Sequence, residues 1–499
     1  MASSSAPALP PDLVRAEPIA AGRDAWFGTS SLVFLALVVG LIARPDKLLA
    51  DPDTQWHVAV GRWIVAHGAV PWTDLFSHTF AGQPWIAKEW ASQVVLFAVH
   101  AGAGWWGVAV CAVLVLASTL AVLHAWLGRR MSGASALVLV VATFVILAPH
   151  ILARPHLFTF PILIAWTIGL VGAIERRGAP SPWLLLVMVA WANLHGSYPI
   201  GLVIAGLLAG EGVFGRPRAE WRRSATRWGL FLVGAALAAC LTPYGTRPFL
   251  VNLGLFGSGE SLRYIDEWQP LALDLPGSLA LACLGLCLGV LACDPRRNLF
   301  RIAVVFLLGA MMIRHSRFAD LFILVAPILV AGPAALRFAG LRAEAPSVGN
   351  RLDRLAVAVL ALAALGLAAL QTPRLDPEVT PVAALEAARA KGLQGPVYND
   401  YNFGGFLIAS GVKTFIDGRA DQIFLGGFMD ALFEARTDAD GERFAALLRR
   451  YGITWALVQK GGKDAAHLAR LDGWAMLHQD DVAAVYYDTR RDATAPGRP

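Results

Sequence analysis

Apolar runs recur along this chain from Phe27 to Leu370, and no other feature limits its fold so tightly. Runs of that length and frequency read as transmembrane helices, so the sequence predicts a polytopic α-helical membrane protein. The first span is expected over about Phe27 to Ala43. The others are expected at 105–127, 135–149, 157–174, 182–195, 198–214, 228–242, 278–293, 299–313, 319–336 and 354–371, eleven in all. Several fall short of the ~20 residues a perpendicular helix needs, so their ends must extend into the flanks. Composition agrees: 56% of the residues are hydrophobic and 16% charged, against about 25% charged in an ordinary soluble domain. Such apolar abundance also excludes a disordered chain.

The sequence divides into three parts. Residues 1–26 are small, polar and Pro-rich, without the apolar core of a signal peptide. Residues 27–371 form the transmembrane domain. After about Gln371 the composition turns mixed, and 372–499 reads as a separate α/β domain. The cysteines, Cys111, Cys240, Cys283, Cys287 and Cys293, all lie in apolar runs or at their ends. That argues against a disulfide framework and against a cysteine-rich zinc site. The net charge of +6 reflects topology; no basic stretch is interleaved with exposed aromatics as a nucleic-acid partner would require.

Lysine and arginine set the orientation. With the N-terminus in the cytoplasm, 18 of these residues fall in inner segments and 9 in outer segments before the tail. Eleven spans then put the tail outside. The inner loops are short and basic, as in 175-ERRG and 294-DPRRN. The outer ones carry chemistry: DPDTQWH, KEW, ARPH, NLHGS, TPYG, YIDEW and RHSRF. That one-sided clustering suggests an active site at the outer membrane–water boundary.

The first outer loop, 44–104, predicts two amphipathic helices lying at the interface. One covers about Thr54 to His67, with Trp56, Val60, Trp63 and Ile64 on one stripe; the other covers about Glu89 to His100. The tryptophans suit membrane anchoring. Asp51 and Asp53 follow the first span directly, and Glu89 opens the second helix. Asp53 has the position of a helix N-cap. The alternative is a general base working in a partly desolvated site.

These residues resemble a known family. A first span followed at once by acidic residues, an outer loop with two juxtamembrane helices, many further spans and an outside α/β tail are similar to the GT-C superfamily of membrane glycosyltransferases. DPDTQWHVAVGRWI, GAVPWTDLFSHT, WANLHGS, GGFLI and FIDGRAD resemble a bacterial subgroup of it. The resemblance implies an enzyme of the bacterial inner membrane that uses a polyprenyl-phosphate sugar donor, with a glycan, lipid or protein acceptor outside the cytoplasm. It implies that a first-loop acid deprotonates the acceptor, which displaces the lipid phosphate with inversion. Carried over by position, Asp53 or Asp51 is the base. Asp53 is favoured because it opens the amphipathic helix, and Glu89 assists. A divalent metal, if any, would sit on Asp51, Asp53 and Glu89. One departure is that the Asp-Glu pair of better-known members is replaced here by Asp-Pro-Asp, which leaves the choice of acid open.

Among the other outer clusters, Arg154, His156, Arg314, His315 and Arg317 are candidates for the donor phosphate, a role the guanidinium fork suits. Snorkelling side chains are the alternative for Arg154 and His156. His57, Lys88, Asn193, His195 and Glu267 are candidate substrate-binding residues, although Asn193 and His195 equally suit a broken helix end and Glu267 a solvated loop. In the tail, GPVYND, VKTFIDGR, ITWALVQK and the pair WAMLHQDD and VAAVYYDT predict strands, with helices between them. Asn399, Asp417 and Arg419 there suit either turn chemistry or a lid and acceptor site. No metalloprotease, Walker, serine-hydrolase or Rossmann motif occurs in a fitting context. Two rival functions are a flippase for a lipid-linked saccharide and a non-catalytic envelope assembly protein. No internal repeat or paired broken helix supports the flippase.

Overall fold

The computed structural model describes residues 28–255, 264, 268–343 and 351–492. Each expected span folds as a helix, from Thr29–Ile42 to Arg351–Leu370. Six of these are long and apolar enough to cross a membrane: Trp90–Gly128, Gly133–His150, Pro155–Glu175, Leu275–Ala292, Ser316–Arg337 and Asp353–Leu370. They make the chain a multi-pass membrane protein. Thr29–Ile42, Trp183–Leu194 and Tyr198–Phe214 are apolar but shorter. Trp221–Ala239 and Pro295–Arg314 begin with paired arginines and are apolar only further on. Ala319–Arg337 is the central helix, buried on all sides from Ala319 to Ala331.

The connections alternate between two ends of this bundle. At one end Arg130 pairs with Glu175 at 2.7 Å, and Arg216 donates to the Gly178 carbonyl at 3.0 Å. The opposite end gathers the segments around residues 51, 89, 154, 195 and 317, and there the tail packs.

The first of the two expected first-loop helices departs from a membrane-lying one. Asp53–His67 is helical, but every residue from Asp53 to Gly61 is buried by protein. One side lies against the start of Trp90–Gly128. Gly61 makes the approach possible, because a Cβ there would meet the Gln93 carbonyl oxygen at 2.0 Å. The other side presents Trp56, Val60 and Ile64, with Trp85 from the following loop, to the tail's core around Phe415 and Phe424. Trp56 and Trp85 therefore fill a protein core instead of anchoring in lipid. The second helix is the first arm of Trp90–Gly128, set off by a break at Ala103 and Gly104, where Gly104 takes φ 57°.

The tail carries a four-stranded sheet: β1 (Val397–Asn399), β2 (Trp455–Gln459), β3 (Trp474–Gln479) and β4 (Ala483–Asp488), in the order β1-β2-β4-β3. β1 and β2 are parallel and the other pairs antiparallel. Alternate residues face two cores. Val397, Leu457 and Val485 pack with the Val382–Lys391 helix, while Tyr398, Ala456 and Tyr486 join the core shared with the first loop.

The expected strand VKTFIDGR is absent from this sheet. Its backbone pairs with the first loop instead: Thr414 N–H donates to the Phe76 carbonyl at 3.0 Å and His78 N–H to the Thr414 carbonyl at 2.9 Å. Asn399 takes the place of a neighbouring strand. Its amide accepts from Phe415 N–H at 2.7 Å and donates to the Ile416 carbonyl at 2.8 Å. The segment's polar groups are thus satisfied without a ladder.

Candidate active site

A cavity of about 1130 Å³ lies between the bundle end and the tail. Five separated clusters contribute to its lining: Asp51, Asp53 and His57; Lys88 and Glu89; Arg154 and His156; His195; and Arg317.

Asp51 and Asp53 are buried, with 4% and 6% of their surface exposed. Asp51 accepts the Asp53 backbone N–H at 2.7 Å, so Asp51, not Asp53, turns the chain into the helix. The Asp53 carboxylate lines the cavity. Arg154 spans the two acids, with Nη2 2.5 Å from Asp53 and Nη1 3.2 Å from Asp51. Arg154 is extended ahead of Pro155, as proline demands of the preceding residue, and this directs its side chain back to the acids.

The tail closes on the same acids through glycines. A Cβ at Gly405 would meet the Pro52 carbonyl oxygen at 1.9 Å, and one at Gly418 would meet Asp53 Oδ1 at 1.8 Å. The GGFLI and FIDGR motifs are thus the pieces of tail that fit against Asp-Pro-Asp.

Glu89 sits opposite His195, with Oε1 3.3 Å from Nε2. His195 Nδ1 accepts from Ser197 N–H at 3.2 Å, which leaves the ring proton on Nε2, facing Glu89. Burial pushes the Glu89 carboxyl up to about 7, against the pull of Lys88. Burial, reinforced by His156 and Arg317, holds His195 well below its ordinary value. Near neutrality His195 is therefore a neutral donor, and Glu89 is the member of the pair that titrates. Lys88 forms an ion pair with Asp421 of the tail. His57 is neutral for the same reason as His195, burial first and then Arg154. Its Nδ1 accepts from Gln93 at 3.2 Å, so its proton is on Nε2.

The expected phosphate ligands divide. Arg154, His156 and Arg317 line the cavity. His156 Nε2 donates to the His150 carbonyl at 2.7 Å, and Arg317 lies 4.5 Å over the Trp268 ring. Arg314 is exposed at a helix end outside the cavity. His315 is outside it too, its Nδ1 held by the Trp268 carbonyl at 2.6 Å. Consecutive residues at a helix end point in different directions, so four neighbours cannot all reach one site. Asn193 also lies outside. It accepts from Trp90 Nε1 at 2.8 Å and donates to the carbonyls of Val189 and Leu241, which closes a broken helix end. Glu267 lies outside the described residues.

Asp417 and Arg419 form a buried lock with Asp74. Arg419 Nε is 2.7 Å from Asp417 and Nη1 2.5 Å from Asp74, with all three side chains at most 1% exposed. Burial alone would raise the Asp74 carboxyl, but Arg419 and Ser77 outweigh it and the net shift is downward. Arg419 also stacks near Trp85, 5.0 Å from its ring centre. The lock joins first loop to tail and leaves no uncommitted charge for a ligand.

Among the described residues, no group of three or more His, Cys, Asp or Glu side chains is arranged to hold a metal ion. Between Asp51 and Asp53 the positive charge is the Arg154 guanidinium. Residues that the sequence did not single out include Asp74, Asp421 and Gln93. Gly405 and Gly418 lie within the GGFLI and FIDGRAD motifs, which the sequence did pick out.

No protein-family model and no curated protein matches this sequence. Among solved structures, the chain is similar to ArnT from Cupriavidus metallidurans bound to undecaprenyl phosphate. The TM-score is 0.51 over 96% of this chain and 100% of that one, at 14% identity. The apo state of the same protein gives 0.49 at 15% identity over 92% and 97% of the two chains. The Archaeoglobus fulgidus oligosaccharyltransferase in its apo form gives 0.35 at 12% identity over 87% of this chain and 70% of that one. The likeness to the first of these is one of fold.

Proposed function

We propose that this chain is a membrane glycosyltransferase that moves a sugar from a polyprenyl-phosphate donor to a hydroxyl acceptor. The carrying observation is the buried pair Asp51 and Asp53, bracketed by Arg154 in a cavity that also presents Arg317. The undecaprenyl phosphate bound to ArnT, a protein of the same fold, supports the donor class.

In this reading Asp53 takes the proton of the acceptor hydroxyl. The acceptor oxygen bonds to the anomeric carbon as the bond from that carbon to the phosphate oxygen breaks. The polyprenyl phosphate leaves with the electron pair, and attack on the opposite face inverts the centre. Arg154 and Arg317 stabilise the departing phosphate. His57 Nε2–H is a donor to a sugar hydroxyl. The reading assigns no step to a metal. It takes the apolar runs as eleven spans and the arginine-rich end as cytoplasmic. Residues 372–499 and the cavity are then extracytoplasmic, with acceptors among glycans, lipids or proteins.

A second reading of the base is favoured by one observation: Glu89, lifted to about 7, matches a general base at neutral pH better than an ordinary carboxylate.

The test is release of polyprenyl phosphate from a panel of polyprenyl-phosphate sugars by purified protein, with Asp53→Asn, Asp51→Asn and Glu89→Gln compared. Turnover abolished in Asp53→Asn with donor binding retained supports the first reading. Abolition in Glu89→Gln alone moves the base to Glu89. Donor bound but never cleaved by wild type favours the flippase. Turnover surviving all three substitutions overturns the mechanism.

A further inference from the structure

The bundle side of the cavity wall carries the charged groups already described beside apolar residues at helix ends, among them Leu152, Ile200 and Leu321. The tail side presents three amides: Asn402, Gln422 and Gln459. None of these three amide groups has an intramolecular hydrogen-bond partner among the described residues. Asn402 and Gln459 are exposed, and Gln422 is half-buried. The same cavity is lined by Phe433, 49% exposed and packed against Tyr264, and by the partly exposed Arg436, tied to Asp464 at 2.9 Å.

Each amide offers both a donor and an acceptor, which is what a vicinal diol matches. An aromatic face beside amides also suits the apolar C–H face of a sugar ring. A lipid chain would leave the three amides unpaired at a cost of about 1–3 kcal/mol each. We infer that the tail-side wall is a saccharide subsite, and that the acceptor is therefore a glycan and not a lipid chain. This rests on the glycosyltransferase reading for the word acceptor. The binding of a saccharide to the wall does not depend on it.

The experiment separates the two. Saturation-transfer NMR is recorded on the full-length protein in detergent with a pool of soluble oligosaccharides of two to six sugars. The comparison is wild type against the triple variant Asn402→Ala, Gln422→Ala, Gln459→Ala. Saccharide signals in wild type, reduced at least ~10-fold in the variant, are expected from the loss of about three hydrogen bonds. Single Asn402→Ala and Gln459→Ala, both at exposed positions, read the same change if the triple variant does not fold. In parallel, polyprenyl phosphate release is measured with added oligosaccharide, lipopolysaccharide or a Ser/Thr peptide. Stimulation by oligosaccharide, with its KM raised in the variants, completes the case. Saccharide binding lost in the variant without any donor turnover keeps the subsite and sinks the transferase reading. No saccharide signal in wild type, signals unchanged by the substitutions, or stimulation by the peptide alone overturns the inference.

Discussion

Gly418 is the position at which the tail and the proposed base can be tested together. Its backbone is not in the left-handed region, so the demand for glycine is one of space. A methyl group there would lie 1.8 Å from Asp53 Oδ1, 2.6 Å from Cγ and 3.0 Å from Oδ2. Ordinary carbon–oxygen contacts begin near ~3.3 Å, so Gly418→Ala must displace the carboxylate by roughly 1.5 Å. The Asp53–Arg154 contact is 2.5 Å, and such a shift breaks it. Loss of that charge-assisted bond is worth about 1.5–3 kcal/mol, and forced overpacking about 1–3 kcal/mol. A misplacement of ~1 Å costs about 10²-fold in rate. Gly418→Ala should therefore lower kcat about 100-fold while donor affinity changes little, measured by polyprenyl phosphate release. A double-mutant cycle isolates the contact. In an Asp53→Ala background the methyl group has room, and the same substitution should cost under ~0.5 kcal/mol in thermal stability. An equal cost in both backgrounds, or full activity in Gly418→Ala, refutes the reasoning.

Three further outcomes are expected. With Glu89 at about 7 when folded and 4.5 otherwise, the folded state binds an extra proton between those values. Stability therefore falls as pH rises from 4.5 to 7, by at most about 3 kcal/mol, and Glu89→Gln should flatten that fall in melting temperatures taken from pH 5 to 8; an unchanged slope removes Glu89 from the account. Arg419→Leu leaves Asp74 and Asp417 buried together and should cost about 3–5 kcal/mol, with limited proteolysis then cutting between bundle and tail; wild-type resistance would show that the lock does not hold them. Arg317→Ala should weaken donor binding at least ~10-fold and Arg314→Ala less than ~2-fold, since a single charge-assisted contact is worth about 1.5–3 kcal/mol; equal effects would mean that the cavity is not where the phosphate binds.

The helical architecture was legible because apolar runs are long-range in sequence and self-sufficient once helical. The alternation of loops between two ends was legible in the same way, and so was the gathering of polar clusters at one of them. The pair β3 and β4 and the core strand β2 followed from alternation and turns. The strand expected at VKTFIDGR did not form, because Asn399 and the Phe76 and His78 backbone supply its hydrogen bonds from outside the sheet. Such a substitution depends on residues about 340 positions away in the chain, as with Thr414 and Phe76. The reading of Asp53–His67 as a membrane-lying helix failed for a related reason. A stripe of Trp56, Val60 and Ile64 fits lipid or protein equally well, and only the tail's aromatic core decides. The cluster at Arg314 to Arg317 could not be resolved without the helix end that turns Arg317 inward and leaves Arg314 outside.

The tail is joined to the acid pair by contacts that tolerate little movement. Backbone bonds link Thr414 to Phe76 and His78, a buried ion triad links Arg419 to Asp74, and glycines at 405 and 418 meet Pro52 and Asp53 within contact distance. A hinged lid would separate at its closing surface, which should be wet and weakly packed. This surface is packed with Phe415, Phe424, Trp56 and Trp85. On the proposed function, both substrates must then reach Asp53 through the cavity while this joint stays closed.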